Sequence, residues 1–415
     1  ANARLLGKVE TSPPEAKAYF ASPSASPSGT PGQEMPSGNP AILGRQKILV
    51  EKQGAIAAQI RALAGEDAVK ARFHKAFYGL AIGNVSEEQL GRIGKIPGVK
   101  NVYLNPKYRA AVSEAVPFIG ADAAWQSADA KGNGLSGTGI RIGVIDTGAD
   151  YTNPDLGGCF GRGCKVEGGR DFINDDSDPM DDEGHGTHVA GIIASEGAIV
   201  GTAPKAKIYA IKVLGSNGSS KDGSVMEGIE YAIDPDDNPA TNDMLDVINL
   251  SLGANCKKYF DGYTKDCGPD DPLSRMIDTA TQAGIVAVVA AGNSGPEAGS
   301  IGSPGTARSA IRVGATHKNT AMVTAFSSRG PVTWTDSKGV EQKLDKPDVA
   351  APGNEICSAR SLHTESGPEE DGEEQTCIDQ RHVINSGTSM AAPFVAGAAA
   401  ILRQAHPEWA PEQVE

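Results

Sequence analysis

No stretch of this chain reaches 18 uncharged apolar residues, so no transmembrane helix is expected. Apolar runs such as AAPFVAGAAAIL (391–402) are too short and too rich in Ala and Gly. No repeat of solenoid period is found. Cysteine is sparse: six residues, none with CxxC spacing and no accompanying His cluster, which argues against a zinc site. His185 and His188 lie three apart, but the Glu of HExxH is missing, which makes a poor case for a metallopeptidase. GTGIRIG precedes its strand instead of following it, which dismisses a dinucleotide site. Basic residues are scarce in the rear of the chain. Residues 116–415 carry 23 Lys/Arg against 43 Asp/Glu, while residues 1–115 carry 15 against 9. That balance speaks against nucleic-acid binding, and the opposite signs of front and rear allow mutual attraction.

With 22% charged and 39% hydrophobic residues, the 415-residue chain has globular composition and enough apolar material for more than one domain. Collagen, coiled coil and whole-chain disorder are excluded. The cysteines fall into near pairs, Cys159/Cys164, Cys256/Cys267 and Cys357/Cys377, as disulfides in an oxidising compartment would. Six cysteines allow 15 connectivities, so neighbour pairing is one choice among them.

Residues 21–41 are rich in Pro, Ser and Gly and read as a tether, within a flexible N-terminal segment 1–45. Residues 46–106 read as a small α/β unit of ferredoxin-like flavour. KILVEK (47–52) is strand-like, AIAAQIRALAG (55–65) helix-like, FHKAFYGLAI (73–82) strand-like and VKNVYL (99–104) a closing strand. Ser86 and Gln89 have capping-box spacing, a helix start. From about residue 137 the texture changes. GIRIGVID (139–146), AKIYAIKVL (206–214), DVINLSLG (246–253) and IVAVVAAGN (285–293) are continuous apolar runs separated by helical patterns. Such alternation predicts an α/β fold, a mostly parallel sheet with helices on both faces. Chemistry in such sheets sits at the carboxyl ends of the strands.

Four segments put reactive side chains there. VIDTG ends a strand in Asp146; GHGTHVAG places His185 just before a helix. VVAAGNSGP ends a strand in Asn293, and GTSMAAPFVAG starts a helix at Ser389. Acyl transfer needs these types. A serine requires a base to remove its proton. The base requires a buried carboxylate to hold one tautomer and to accept its later charge. The oxyanion requires preset donors, here the Asn293 amide and the N–H of Ser389 at a helix start. Singly, each motif has a structural explanation such as a turn or a helix cap, and His188 reads as structural. Their joint occurrence changes the reading.

VIDTGAD, GHGTHVAGII, LSLG, AAGNSGP, FSSRGP (326–331), KPDVAAPG (346–353) and GTSMAAPFVAG resemble the signature blocks of subtilisin-like serine proteases over about residues 115–415. The resemblance implies the subtilisin-like fold and a serine endopeptidase. Asp146 would orient the imidazole, His185 act as base and acid, Ser389 as nucleophile and Asn293 as oxyanion donor. It further implies that LSLG, with Ser251, Leu252 and Gly253, is an extended edge that pairs with substrate backbone. Gly253, Ala291 and Gly292 would line the pocket for the side chain before the cut, with Asp222 on its wall.

Residues 46–112 are similar to the inhibitory propeptide of such enzymes, and 113–415 would be the catalytic domain, its stop at Glu415 suggesting a fragment. By the same likeness, self-cleavage is expected near Val112–Ser113, with Arg109 attracted to Asp222. The implied protein is a secreted, extracellular precursor, a monomer, with polypeptide substrates and its own propeptide as inhibitor. No cofactor is needed for the chemistry, and no nucleic acid or membrane partner is implied. A catalytically latent or pseudoprotease scaffold, held shut by the propeptide, is the alternative. Asp155 matches the carboxylate of the family's commonest calcium site, but its expected partners are absent, so that site is expected to be missing. The acidic run INDDSDPMDDEG (173–184) reads first as a solvated loop; structural calcium or a preference for basic substrate positions are the alternatives. DPDDNPATNDMLD (234–246) reads as a surface loop.

Overall fold

A computed structural model describes residues 19–23, 40–73, 79–83, 85–104, 112–221, 223–238, 240–254, 268–336, 338–364 and 376–415. The expectations for Arg109, Asp222 and the Cys256/Cys267 pair lie outside these residues. The chain divides into two compact units, Ala1–Tyr108 and Arg109–Glu415.

The first unit has strands β1 (Tyr19–Pro23), β2 (Val69–Phe73), β3 (Gly79–Ile82) and β4 (Val99–Leu104). All pairs are antiparallel, in the order β2-β3-β1-β4. Helices α1 (Pro40–Ala64) and α2 (Glu87–Ile93) accompany the sheet. Ile56, Ile60, Leu80, Ile82 and Ile93 form its core. At the start of α2 the Ser86 hydroxyl accepts from Gln89 N at 3.2 Å, and Gln89 Oε1 accepts from Ser86 N at 2.7 Å. Three sequence readings differ from this. FHKAFYGLAI (73–82) is not one strand, since Phe73 ends β2 and Gly79–Ile82 form β3, its antiparallel partner. KILVEK is not a strand but lies inside α1, because strong helix formers on both sides carry the helix through its β-branched pair. Tyr19–Pro23, assigned to the flexible segment, pairs between β3 and β4; periodicity over five residues cannot reveal a strand whose partners lie far along the chain.

The second unit is built on seven strands. They are β5 (Arg141–Asp146), β6 (Val166–Asp171), β7 (Lys207–Lys212), β8 (Val247–Leu250), β9 (Val286–Ala290), β10 (Ile311–His317) and, beyond a separate hairpin of β11 (Val332–Thr335) and β12 (Glu341–Leu344), β13 (Val349–Asn354). Their order is β13-β10-β9-β8-β5-β7-β6, and every pair is parallel. β14 (Ile356–Ala359) and β15 (His382–Asn385) form a second antiparallel hairpin. The helices are α3 (Val112–Phe118), α4 (Ala121–Ala124), α5 (His185–Ala194), α6 (Ser224–Ile233), α7 (Pro272–Ala283), α8 (Thr388–Ala405) and α9 (Pro411–Val414).

The apolar runs make this a sheet covered on both sides. In β9, Val286 and Val288 join Val189 of α5 and Phe394 of α8 in one core, while Ala287 and Val289 join Ile229 of α6 and Ile277 of α7 in the other. The split follows the alternation of side chains along a strand. Each fully buried Val or Ile there is worth about 1.5–3 kcal/mol. The chain crosses from β7 on one side of β5 to β8 on the other, the kind of reversal at whose carboxyl ends ligands bind in open α/β sheets. The carboxyl end of β5 is Asp146. Disulfides join Cys159 to Cys164 and Cys357 to Cys377.

Candidate active site

Asp146 is fully buried at the end of β5. Its Oδ1 accepts from Thr147 N at 2.8 Å and lies 2.7 Å from His185 Nδ1. A carboxylate can only accept there, so Nδ1 carries the proton and Nε2 is free to act as a base. His185 opens α5, and its own N–H donates to Glu183 Oε2 at 2.8 Å. Burial works against a charged ring. The charge and hydrogen bond of Asp146, followed by the charges of Glu183 and Asp181, outweigh it and hold the imidazole up at about 9. His188, one turn on, behaves oppositely. Its Nε2 donates to Ile356 O at 3.0 Å and lies 3.2 Å from Val383 O. Burial, then the charge of His185, push it down to about 3, so it stays neutral and structural.

Ser389 lies in the first turn of α8, at the positive end of an 18-residue helix. Its hydroxyl donates to Ser251 O at 3.0 Å. The Ser251 hydroxyl in turn donates to Ser389 O at 2.8 Å and accepts from Asn249 Nδ2 at 3.0 Å. Asn293 follows β9. Its Oδ1 accepts from the N–H of Thr388 at 2.9 Å and from the Thr388 hydroxyl at 3.0 Å. Because a backbone N–H can only donate, this bond fixes the amide orientation and turns Nδ2 outward as a donor. Gly387 reveals where it points. A Cβ at that position would stand 3.2 Å from Asn293 Nδ2 and 3.6 Å from Ser389 N. The amide nitrogen of Asn293 and the backbone nitrogen of Ser389 therefore both border the notch left where residue 387 has no side chain.

The remaining sequence candidates surround this centre. Ser251 is buried, its side chain engaged with α8, while Leu252 packs partly on the α6–α7 core and Gly253 is exposed. The strand itself ends at Leu250; residues 251–253 continue beyond it, and Ala254 bridges to Ser303. Ala291 is buried and donates to Val313 O at 2.9 Å, and Gly292 N donates to the Thr388 hydroxyl at 3.0 Å. Val112 and Ser113 begin α3.

The acidic run before His185 is only partly the solvated loop expected of it. Asp175, Asp176 and Asp178 are exposed. Asp175 pairs with Arg170 at 2.8 Å, and Asp178 accepts from Tyr151 OH at 2.7 Å. Asp181 is fully buried, and Asp182 pairs with the buried Lys212, whose Nζ also donates to Thr147 O at 2.9 Å. Burial pushes the Glu183 carboxyl up, opposed by the His185 N–H. Sequence reasoning missed Asp181 and Lys212. Their signal was an ionisable residue inside a motif or at a strand end, which a charge count averages away.

The residues around Asp155 do not fit a calcium ion. Oδ1 accepts from Ala198 N at 2.9 Å, Oδ2 accepts from Ile199 N at 2.9 Å, and Oδ2 faces His382 Nε2 at 3.0 Å. Even a Cβ at Gly197 would fall 2.0 Å from Oδ1. The other ring nitrogen of His382 lies 2.7 Å from Asp379 Oδ1. Donors from the protein occupy the carboxylate. Elsewhere, Asp234, Asp236 and Asp243 each bring one oxygen within 4.8 Å of the others in the surface loop after α6. Among the described residues no helix is long and apolar enough to cross a membrane.

Comparison with known proteins follows the same residues. The profile of the subtilase family matches residues 137–415. Serine protease AprX of Bacillus subtilis (strain 168) is 35% identical over 340 residues, covering 78% of this chain and 69% of AprX. Subtilisin Savinase of Lederbergia lenta is 34% identical over 292 residues, 70% of this chain and 85% of Savinase. Minor extracellular protease Vpr of Bacillus subtilis (strain 168) is 36% identical over 274 residues, 60% of this chain and 30% of Vpr. The crystal structure of a cold adapted subtilisin-like serine proteinase aligns with a TM-score of 0.49 at 29% identity, over 67% of this chain and 80% of that one.

Proposed function

The chain belongs to the subtilase family and is a serine endopeptidase, and we propose that Ser389, His185 and Asp146 perform its chemistry with Asn293 and Ser389 N as the oxyanion donors. The observation that carries this reading is the pair of convergent geometries: a 2.7 Å Asp146–His185 contact, and two donors at the Gly387 notch beside Ser389.

In the first step Ser389 Oγ attacks the scissile carbonyl carbon while its proton passes to His185 Nε2. This requires a rotation of the serine side chain from Ser251 O toward the ring. Resting enzymes often hold such hydrogen bonds out of line until substrate arrives. The carbonyl electron pair moves onto oxygen, which the notch receives. When the C–N bond breaks, the leaving amine takes the proton from Nε2, and an acyl-enzyme remains. Water repeats the sequence and restores Ser389. Asp146 holds Nδ1–H throughout and offsets the charge of the imidazolium.

Residues 251–253, which run on past β8, serve in this reading as the edge that pairs with substrate backbone, with Ala291, Gly292 and Gly253 around the side-chain pocket and Asp222 on its wall. Residues 46–112 act as an inhibitory propeptide cut near Val112–Ser113. The division of the chain into units beside that point supports this. Secretion is supported by the disulfides Cys159–Cys164 and Cys357–Cys377 and by the likeness to Vpr, named as extracellular. The enzyme acts as a monomer on polypeptides.

The test is labelling of the full chain with a fluorophosphonate probe, beside Ser389→Ala and His185→Ala, with intact-mass and N-terminal readout. Labelling confined to Ser389, and processing near Val112 that both variants abolish, are expected. No labelling, or processing that persists in Ser389→Ala, would make the chain a latent scaffold cut by other enzymes.

A further inference from the structure

The first N–H groups of a helix have no partner inside it and need acceptors from elsewhere. In α5 the residue at the cap position is Gly184, which has no side chain to offer. The acceptor comes from upstream. Asp181 Oδ1 accepts from Gly184 N at 2.8 Å and Glu183 N at 3.1 Å, and Oδ2 accepts from Thr187 N at 2.8 Å and the Thr187 hydroxyl at 2.5 Å. The residue is fully buried. A buried carboxylate is tolerated when donors surround it, and four do so here.

The capping group is itself anchored. The Thr187 hydroxyl accepts from Asp150 N at 2.8 Å, which ties it to the loop after β5. The Asp181 carbonyl accepts from the Ser361 hydroxyl at 2.7 Å, which ties it to the segment after β14. Asp181, with Thr187, thus ties two other chain segments to the turn that carries His185.

We propose that Asp181 is a positioning residue for peptide hydrolysis: its carboxylate fixes the first turn of α5, and through it the reach of the His185 ring toward Ser389. The proposal rests on His185 being the base. A ring that must meet both Asp146 and a substrate-loaded serine tolerates little displacement; an error of about 1 Å can cost about 100-fold. The negative charge has a second effect, since it favours the protonated ring that exists between proton uptake and delivery. The charged and titratable groups around that ring are Asp146 from β5, Asp181 and Glu183 from the loop before α5, and His188 on α5 itself. Lys212 of β7 faces the same loop, paired with Asp182.

Asp181→Asn tests this. The amide keeps the shape, removes the charge and turns an N–H₂ toward donors. With competent sites counted by fluorophosphonate titration, kcat per site is expected to fall about 10–100-fold with KM within about threefold. The acid limb of kcat/KM should move to lower pH, because an imidazolium without this neighbour loses its proton more readily. Unchanged kcat per titrated site, whatever happens to KM or to melting temperature, overturns the proposal, since a merely structural carboxylate would lower only the number of competent sites. Should Asp181→Asn not fold, Thr187→Val removes one donor to the carboxylate, together with the acceptor of Asp150 N, and keeps the charge. It should lower kcat per site several-fold with the acid limb in place, and no change overturns the proposal equally. His185→Ala separates the two levels: full turnover in that variant refutes the base assignment itself, independently of Asp181.

Discussion

Gly387→Ala adds one methyl to the chain and isolates the oxyanion notch from everything else. The backbone at 387 has φ 161 and ψ 165, an extended conformation that any residue adopts, so alanine imposes no backbone strain. The new Cβ would stand 3.2 Å from Asn293 Nδ2 and 3.6 Å from Ser389 N, ordinary to slightly tight distances. The fold should therefore survive. What changes is the space in front of the donors. An oxyanion must come within about 2.7–3.1 Å of each donor, and a carbon already in contact with both obstructs that approach. Losing one such donor costs about 100–1,000-fold in kcat, or about 2.7–4 kcal/mol of transition-state stabilisation. Steady-state hydrolysis of a peptide anilide, with active-site titration and a melting curve alongside, should show kcat reduced by at least that range while the melting temperature stays close to that of the parent. A variant with kcat within about threefold of the parent would refute the assignment of the notch.

The side chain of Gln404 accepts from Ser136 N at 3.0 Å, Gly137 N at 2.8 Å and Thr138 N at 3.1 Å, and donates to Asp129 Oδ2 at 3.1 Å and Gly134 O at 3.0 Å. Gln404→Leu strips the acceptor from the buried Gly137 N–H and from the exposed Thr138 N–H, while Ser136 N keeps Gly134 O at 2.9 Å. At about 1–3 kcal/mol for the one buried group left unpaired, urea unfolding of an inactive Ser389→Ala background should show a loss of about that size; less than about 0.5 would contradict the clamp. His188 is held neutral, its ring pushed down to about 3. Its folded value is below the unfolded one near 6.5, so the stability it contributes is present above pH 6.5 and lost as pH falls toward 3. His188→Gln keeps a donor and cannot be protonated, so it should flatten this acid-side loss in a pH series of melting curves; an unchanged slope would count against it. For His185 the sign is reversed. The ring is held up at about 9, so the acid limb of kcat/KM should lie above the ordinary imidazole range and the enzyme should favour alkaline conditions. A limb at or below pH 6.5 would show that the neighbouring carboxylates do not act on the ring as described.

The side chains proposed for the chemistry stand at places the sequence marks, because chemistry restricts their types and the sheet restricts their places. Asp146, Asn293 and the residues after Leu250 stand where apolar strands run out, and His185 and Ser389 stand where helices begin. The alternation that splits Val286 and Val288 from Ala287 and Val289 was present in the run itself. What was not legible depends on contacts between distant segments. Nothing local distinguishes Asp181, which caps α5, from Asp178 three residues earlier, which is exposed and bonded to Tyr151. KILVEK has the composition of a strand, and only the helix on either side decides against it. β1 has no signal of its own; its partners, β3 and β4, lie dozens of residues away. Asp155 matches the position of a metal carboxylate, yet Ala198, Ile199 and His382, 43, 44 and 227 residues along the chain, fill its oxygens.

The two serines at 251 and 389 hold each other by crossed contacts, each hydroxyl on the other's carbonyl. The end of β8 and the start of α8 are thereby riveted, and neither can slide past the other without both contacts failing together. If a polypeptide docks along residues 251–253, tension along it reaches the reactive hydroxyl through one shared joint. Because the proposed chemistry needs Ser389 Oγ to leave Ser251 O, one half of this joint opens in every turnover, while the Ser251 hydroxyl on Ser389 O keeps the start of the helix in place.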